Sequence, residues 1–359
     1  MAADPGRGRP LRTAATAGVG VGARLSAGIR VRTFRGPSAP DLQLGAGRAG
    51  ADLPGLHAAT GGRARAGAGC ADRPRLAAAV EAFALTDLEW VSLFAEIGES
   101  VRAATAHLVG TEEGRLELSQ GAGGDTTVEI DRLAESVVLE RLQRAASEGA
   151  RFSVLSEEVG HRNLGAEWPL VLVDPIDGSL NAKQGIPVFA VMLALLDGPR
   201  LGDARVGYVL NLATGDTWHA VRGVGAYRNL QDLGTLPMQR GHRDFEMVAL
   251  ESSPRSVIRA RPLLERAAKI RVLGCMALSI VHTATGGVDV FCAPFKARAF
   301  DMAASLLILR EAGGMASDCD GADVYAVTAG LEGRTSLLCA SDVAYHTQAL
   351  ALMRGALAG

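Results

Sequence analysis

A chain of 359 residues, 48% of them apolar, can bury one large core or two moderate ones, so a globular protein is the starting expectation. A formal net charge of −2 provides no basic surface for nucleic acid or for an anionic membrane, and small molecules are the expected partners. Cys70, Cys275, Cys292, Cys319 and Cys339 are odd in number and lack a C-x-x-C pair, which indicates neither a disulfide framework nor a zinc site and fits reduced thiols in a cytoplasmic protein; no apolar stretch reaches the ~18 to 20 residues that span a bilayer.

Residues 1 to 80 are rich in Gly, Ala, Pro and Arg, with twelve Arg up to Arg75 against four Asp and no Glu or Lys over the same stretch. Such a composition buries little apolar surface and predicts a disordered tail. Its arginines suit an organelle transit peptide, but no amphipathic period is sustained; an over-extended start of translation explains the composition at least as well. Within it Gly45 to Gly50 match G-x-G-x-x-G, yet Pro40 before and Pro54 after deny the strand and helix that a dinucleotide fingerprint requires.

From Thr86 the texture changes. Trp90, Leu93, Phe94, Ile97, Val101, Ala104 and Leu108 recur at helical spacing behind a Thr86 or Asp87 cap, and a second helix is predicted over 132–146. Strands are predicted at 151–158, 169–175 and 187–196, with a hairpin over 204–221 turning at Thr214, Gly215 and Asp216. Beyond Arg243 short strands at 247–250, 270–273 and 336–340 alternate with helices at 256–268 (interrupted at Pro262), 277–284 and 302–312. The pattern predicts layered α/β architecture, with an N-terminal half over 81–240 and a C-terminal half over 241–359 that closes the site.

The stretch "PLVLVDPIDGSLN" ends an apolar strand in two aspartates. Pro175 lacks a ladder donor and restricts Asp174, so the strand stops there and Asp174, the Ile176 carbonyl and Asp177 can share one cleft. Gly178 allows close backbone approach, and Ser179 opens a short helix whose N–H groups face the same space. Oxygen donors without His or Cys favour hard cations such as Mg²⁺, and a helix start beside them favours phosphate. Glu157 and Glu158 end the preceding strand, Asp125 to Asp131 precede a helix, and Asp301 starts an apolar one; each alone is equally a surface turn or a helix cap.

Together these stretches resemble the inositol monophosphatase superfamily of Mg²⁺-dependent, lithium-sensitive phosphatases, most of all its archaeal-type inositol monophosphatase/fructose-1,6-bisphosphatase branch. The likeness covers about residues 85 to 355 and rests on D-P-I-D-G-S at Asp174 to Ser179, S-E-E at Ser156 to Glu158, and F-D-x-A-A through E-A-G-G from Phe300 to Gly314. It implies an α-β-α-β-α sandwich of the sugar-phosphatase type. By the resemblance, Glu157, Asp174 and the Ile176 carbonyl hold a first metal, Asp174 bridges to a second held by Asp177 and Asp301, and a third sits near Glu157. Asp131 with Ser179 would activate the attacking water, the family's D-x-x-T-x-x-D falling on Asp125 to Asp131 with Val128 where it has Thr.

Two or three Mg²⁺ ions would neutralise the phosphate dianion and lower the pKa of water for direct attack, while the Gly178 and Ser179 N–H groups hold phosphate oxygens. The resemblance places Gly274, Cys275 and Met276, with Asp301, along the substrate pocket. Inositol-preferring members carry a Glu where this chain has Pro294, and Lys296 and Arg298 are candidates for a second phosphate. Inositol 1-phosphate is the first expected substrate; fructose 1,6-bisphosphate, a 3′-phosphoadenosine nucleotide or histidinol phosphate are alternatives, as is a non-catalytic phosphate-binding relative. The family's members are commonly homodimers. Deleting residues 1 to 80 is expected to leave phosphate release unchanged; an inactive or collapsed truncated protein would count against the tail reading.

Overall fold

The computed structural model describes residues 83–120, 126–157, 159–235 and 245–355, which fall in the compact unit Pro74–Gly359. The expectations for residues 1 to 80, Asp125 and Glu158 lie outside the described residues. Among the described residues no helix is long and apolar enough to cross a membrane.

Thr86 caps α1 (Asp87–Thr105): its hydroxyl accepts from the Glu89 N–H while the Glu89 carboxylate accepts from the Thr86 N–H at 2.8 Å. Trp90, Phe94, Ile97 and Val101 face the core at the predicted spacing, but the helix stops at Thr105 and Leu108 packs from the turn beyond. The antiparallel pair β1 (Glu117–Gln120) and β2 (Thr126–Val128) leads into α2 (Glu129–Ser147). That helix starts ahead of the predicted Arg132, because Val128 is still extended and the acids Glu129 and Asp131 complement the positive helix end. Asp131 therefore stands within the first turn.

A seven-stranded sheet follows the order β3 (Phe152–Ser156), β4 (Gly160–Asp177), β5 (Ala190–Leu196), β6 (Ala204–Asn211), β7 (Thr217–Val221), β8 (Gly225–Arg228), β9 (Gln231–Asp232), with α3 (Ser179–Gln184) between β4 and β5. β4 is much longer than the predicted 169–175 because it wraps β3. Its first part returns along one edge, Ser156 opposite Gly160, and its second part runs parallel along the other, Ser156 opposite Val173. The predicted hairpin is present, β6 and β7 pairing antiparallel.

The second sheet, in the order β11 (Ala267–Arg271), β10 (Phe245–Leu250), β12 (Val290–Arg298), β14 (Arg334–Ala340), β13 (Met315–Ser317), has α4 (Arg261–Leu264), α5 (Met276–Ala284), α6 (Ala303–Glu311) and α7 (Val343–Gly355) for company. The predicted helix over 256–268 is replaced by a 3₁₀ turn and the short α4, with Pro262 in its first turn; residues 267–271 instead pair parallel with β10. β12 escaped prediction because Pro294 interrupts it, and its pairing with β14 is irregular between Ala293 and Ala297.

Alternation along the strands sorts the layers. Val171, Val173, Leu193 and Leu210 pack with α1 and α2, whereas Leu172, Met192, Ala194 and Val209 pack with α5 and α6. Phe291, Ala293 and Leu337 meet the same two helices from the second sheet, while Cys292, Val290 and Leu338 face Tyr345 and Met353 of α7. The order is helices, sheet, helices, sheet, helices, the expected sandwich. Helix α6, which follows Asp301, lies directly on β6: a Cβ on Gly207 would come within 2.7 Å of the Ala304 carbonyl oxygen and 3.1 Å of its Cα. Gly207→Ala is expected to destabilise the fold by about 1–3 kcal/mol through overpacking. A urea midpoint equal to that of the unsubstituted chain would show that this contact yields.

Candidate active site

β4 pairs regularly with β5 as far as Asp174 opposite Met192, then the register slips before Asp177 meets Ala190. Pro175 lies in the slip, as its missing donor requires. The Ile176 N–H turns back to Asp174 Oδ1 at 3.2 Å, and the Ser179 hydroxyl donates to the Ile176 carbonyl at 2.8 Å. Gly178 has φ 87°, and a Cβ there would lie 3.0 Å from the Val188 carbonyl oxygen and 3.1 Å from both Cys275 Cβ and the Gly274 carbonyl oxygen. Glycine is thus demanded both by conformation and by the approach of the 274–275 backbone. The Asn181 amide fastens the same junction, donating to the carbonyls of Val188 and Leu273, each at 2.7 Å, and of Gly274 at 3.3 Å.

Around this turn the acids meet. Asp174 is 2% exposed, and burial followed by the charges of Glu157, Asp177 and Asp301 pushes its carboxyl well above the usual range, with Arg298 pulling the other way. Burial also raises Asp177, opposed by the Ala277 N–H, the Cys275 thiol at 3.2 Å and the Met276 N–H. Asp301, in the 3₁₀ turn before α6, is pushed up to about 6 by burial against the pull of Arg298. Arg298 ends β12 and donates from Nε to Asp301 Oδ2 at 2.9 Å and from Nη1 to Glu157 Oε1. Asp131 is buried on α2, and Glu157 lies in the turn after β3.

Cys275 and Met276 are buried where α5 begins, and burial with the Asp177 charge pushes the Cys275 thiol far up, which disfavours a thiolate nucleophile. Of the two basic candidates for a second phosphate, Lys296 is exposed and Arg298 is committed to Glu157 and Asp301, because it leaves β12 directly beside them. Glu251 was missed. It follows β10, and burial and then the Asp177 charge push it up to about 7 against hydrogen bonds from the Ser252 and Gly274 backbone, leaving Oε2 buried without a hydrogen-bond partner. The signal was available: "VALE" ends an apolar strand in a carboxylate, just as "VLSE" and "VLVD" do.

Among the described residues no three His, Cys, Asp or Glu side chains are gathered as a group that could hold a metal ion. Arg298 engages Glu157 and Asp301, and the start of α5 engages Asp177. The donor chemistry nevertheless fits hard divalent cations: oxygen atoms alone, mutually repelling, including a buried Asp301 Oδ1 without a hydrogen-bond partner.

Fold and site together define a layered α/β protein with acids gathered near strand ends, and the chain matches the Inositol monophosphatase family over residues 85–355, so it belongs to that family. It is 30% identical over 268 residues to a fructose-1,6-bisphosphatase/inositol-1-monophosphatase of Methanothermobacter thermautotrophicus, covering 72% of this chain and 94% of that one. Against an inositol-1-monophosphatase of Mesorhizobium japonicum it is 32% identical over 226 residues, 57% of this chain and 77% of the relative. A crystal structure of an inositol monophosphatase–fructose 1,6-bisphosphatase shares the fold at TM-score 0.64 and 23% identity, over 74% of this chain and 99% of that one.

Glu251 generates a pH prediction. With a folded value near 7 against an ordinary 4.5, it binds more protons folded than unfolded, so its ionisation removes stability as pH rises from 4.5 through 7. In chelator-treated protein Glu251→Gln should match the unsubstituted chain in Tm below pH 4.5 and exceed it increasingly up to pH 7. Parallel Tm curves across that window would contradict the assignment.

Proposed function

We propose that this member of the inositol monophosphatase family is a Mg²⁺-dependent phosphomonoesterase acting on a small sugar or polyol phosphate, inositol 1-phosphate first and fructose 1,6-bisphosphate as its alternative. The observation that carries the reading is the placement of buried Asp174 at the slip in β4, three residues before Asp177, beside Glu157 and Asp301, which one guanidinium spans. The relatives named for both activities support the pairing of substrates, and Pro294, in place of the inositol-preferring Glu, argues for a broad pocket.

In this reading Glu157, Asp174 and the Ile176 carbonyl would hold one divalent ion, Asp174, Asp177 and Asp301 would hold a second, and Glu157 would border a third. Bound divalent ions supply charge neutralisation of the phosphate dianion and acidify water. The chain's own residues do the rest. Asp131 and Ser179 orient the attacking water and take its proton, and the backbone N–H groups of Gly178 and Ser179, at the start of α3, receive phosphate oxygens as charge moves in line toward the departing alkoxide. Gly274, Cys275 and Met276 line the alcohol side, with Asp301 across from them. No covalent intermediate with the chain is required, in keeping with the burial of the Cys275 thiol. The substrate is small, and the assembly proposed is a homodimer.

Asp174→Asn and Asp301→Asn should each abolish Mg²⁺-dependent phosphate release while circular dichroism reports an intact fold. Full activity in either variant removes the metal assignment. Phosphate release from inositol 1-phosphate, fructose 1,6-bisphosphate, adenosine 3′,5′-bisphosphate and histidinol phosphate, with lithium as inhibitor, ranks the substrates; no release from any of them overturns the reading.

A further inference from the structure

We propose that Glu135 is a positioning residue for the metal site: its buried carboxylate braces the turn that carries Glu157. The inference rests on the reading of Glu157 as a metal ligand.

Glu135 lies on α2 one helical turn beyond Asp131, on the face whose other residues, Ala134, Val138, Leu139 and Leu142, are apolar core. It is 4% exposed. A carboxylate placed there costs several kcal/mol of desolvation unless fixed donors meet it. Those donors come from the β3–β4 turn. Glu135 Oε1 accepts from the Ser156 hydroxyl and from the Val159 N–H at 3.1 Å, so one oxygen grips the chain on both sides of Glu157.

The location of the grip matters. Ser156 is held between Gly160 on one side and Val173 on the other, and Val173 immediately precedes Asp174. Parallel pairing therefore sets Glu157 beside Asp174, but the ladder ends at Ser156 and cannot itself fix the next residue. The two hydrogen bonds from Glu135 close the turn where the ladder stops. They also join α2 to the turn, so that Asp131, on the same helix, keeps a constant relation to Glu157. A leucine would suit the apolar face of α2 and stabilise its packing; it would leave the Ser156 hydroxyl and Val159 N–H without this acceptor and Glu157 on an unbraced turn.

The test uses the full chain and reads Mn²⁺ affinity by electron paramagnetic resonance beside Tm and the Mg²⁺ dependence of phosphate release. Glu135→Met is expected to weaken the tightest Mn²⁺ site by about tenfold, the usual loss when a partner orienting a ligand is removed, and to raise the Mg²⁺ needed for half-maximal rate by the same factor while kcat at saturating Mg²⁺ is largely kept. Glu135→Gln, which retains an acceptor oxygen, should fall between, and Ser156→Ala should shift in the same direction. If Glu135→Met does not fold, the Gln and Ser156 variants decide. Unchanged Mn²⁺ affinity in both, with a lower Tm, would assign Glu135 to packing alone and overturn the proposal. Glu157→Gln separates the two levels: if it leaves Mn²⁺ affinity intact, the reading of the site fails and this inference with it, whereas a loss there without one at Glu135 sinks the inference only.

Discussion

Asp174 sits almost fully buried at the point where a central strand loses its ladder, and three further acids press upon it. In a medium that solvates charge poorly, such crowding drives protons onto carboxyls unless positive charge is supplied. Arg298 answers two of the acids, Glu157 and Asp301, from the last residue of β12. Asp174 and Asp301 remain raised despite it, first of all because they are buried. The fold therefore keeps buried carboxyls in close company at its strand ends, where a divalent cation would relieve both their burial and their mutual repulsion.

The layers explain how acids so distant in sequence converge. An acid stands at or just beyond the carboxyl ends of β3, β4 and β10, namely Glu157, Asp177 and Glu251, Asp174 lies at the slip within β4, and the turn before α6 contributes Asp301. α6 is pinned against β6 at Gly207 and packs beside α5, whose first residues hold Asp177. Apolar packing between the two sheets is thus what sets one acid against another, and the polar contacts refine positions that the core has already imposed.

Much of this was legible beforehand because its signals are local. A strand that ends in carboxylate, Pro and Gly reads as a candidate site once the other acidic stretches stand beside it, and Gly178 does adopt the left-handed conformation that only glycine takes comfortably. Features set by distant pairing were not legible. Residues 267 and 268 look helical until β10 offers them a ladder, which starts the strand expected at 270–273 earlier, and β12 is hidden by Pro294 until β14 accommodates the irregularity. Arg298, read as a surface cation for substrate, is engaged by acids that lie beside it only in the folded chain. Glu135 received no reading from the sequence, although its place beside Ala134, Val138 and Leu139 on α2 is a signal that the periodicity contains.

The amide of Asn181 has a mechanical meaning. It ties the short helix after the D-P-I-D-G-S turn to Val188, in the segment leading to β5, and, through Leu273 and Gly274, to the segment that opens α5. The proposed phosphate cradle and the proposed alcohol pocket are consequently anchored to one shared bolt. A substrate gripped at both ends would be measured by a rigid gauge rather than by two independently drifting walls, so discrimination among esters would come from the length and shape of the alcohol against a fixed span.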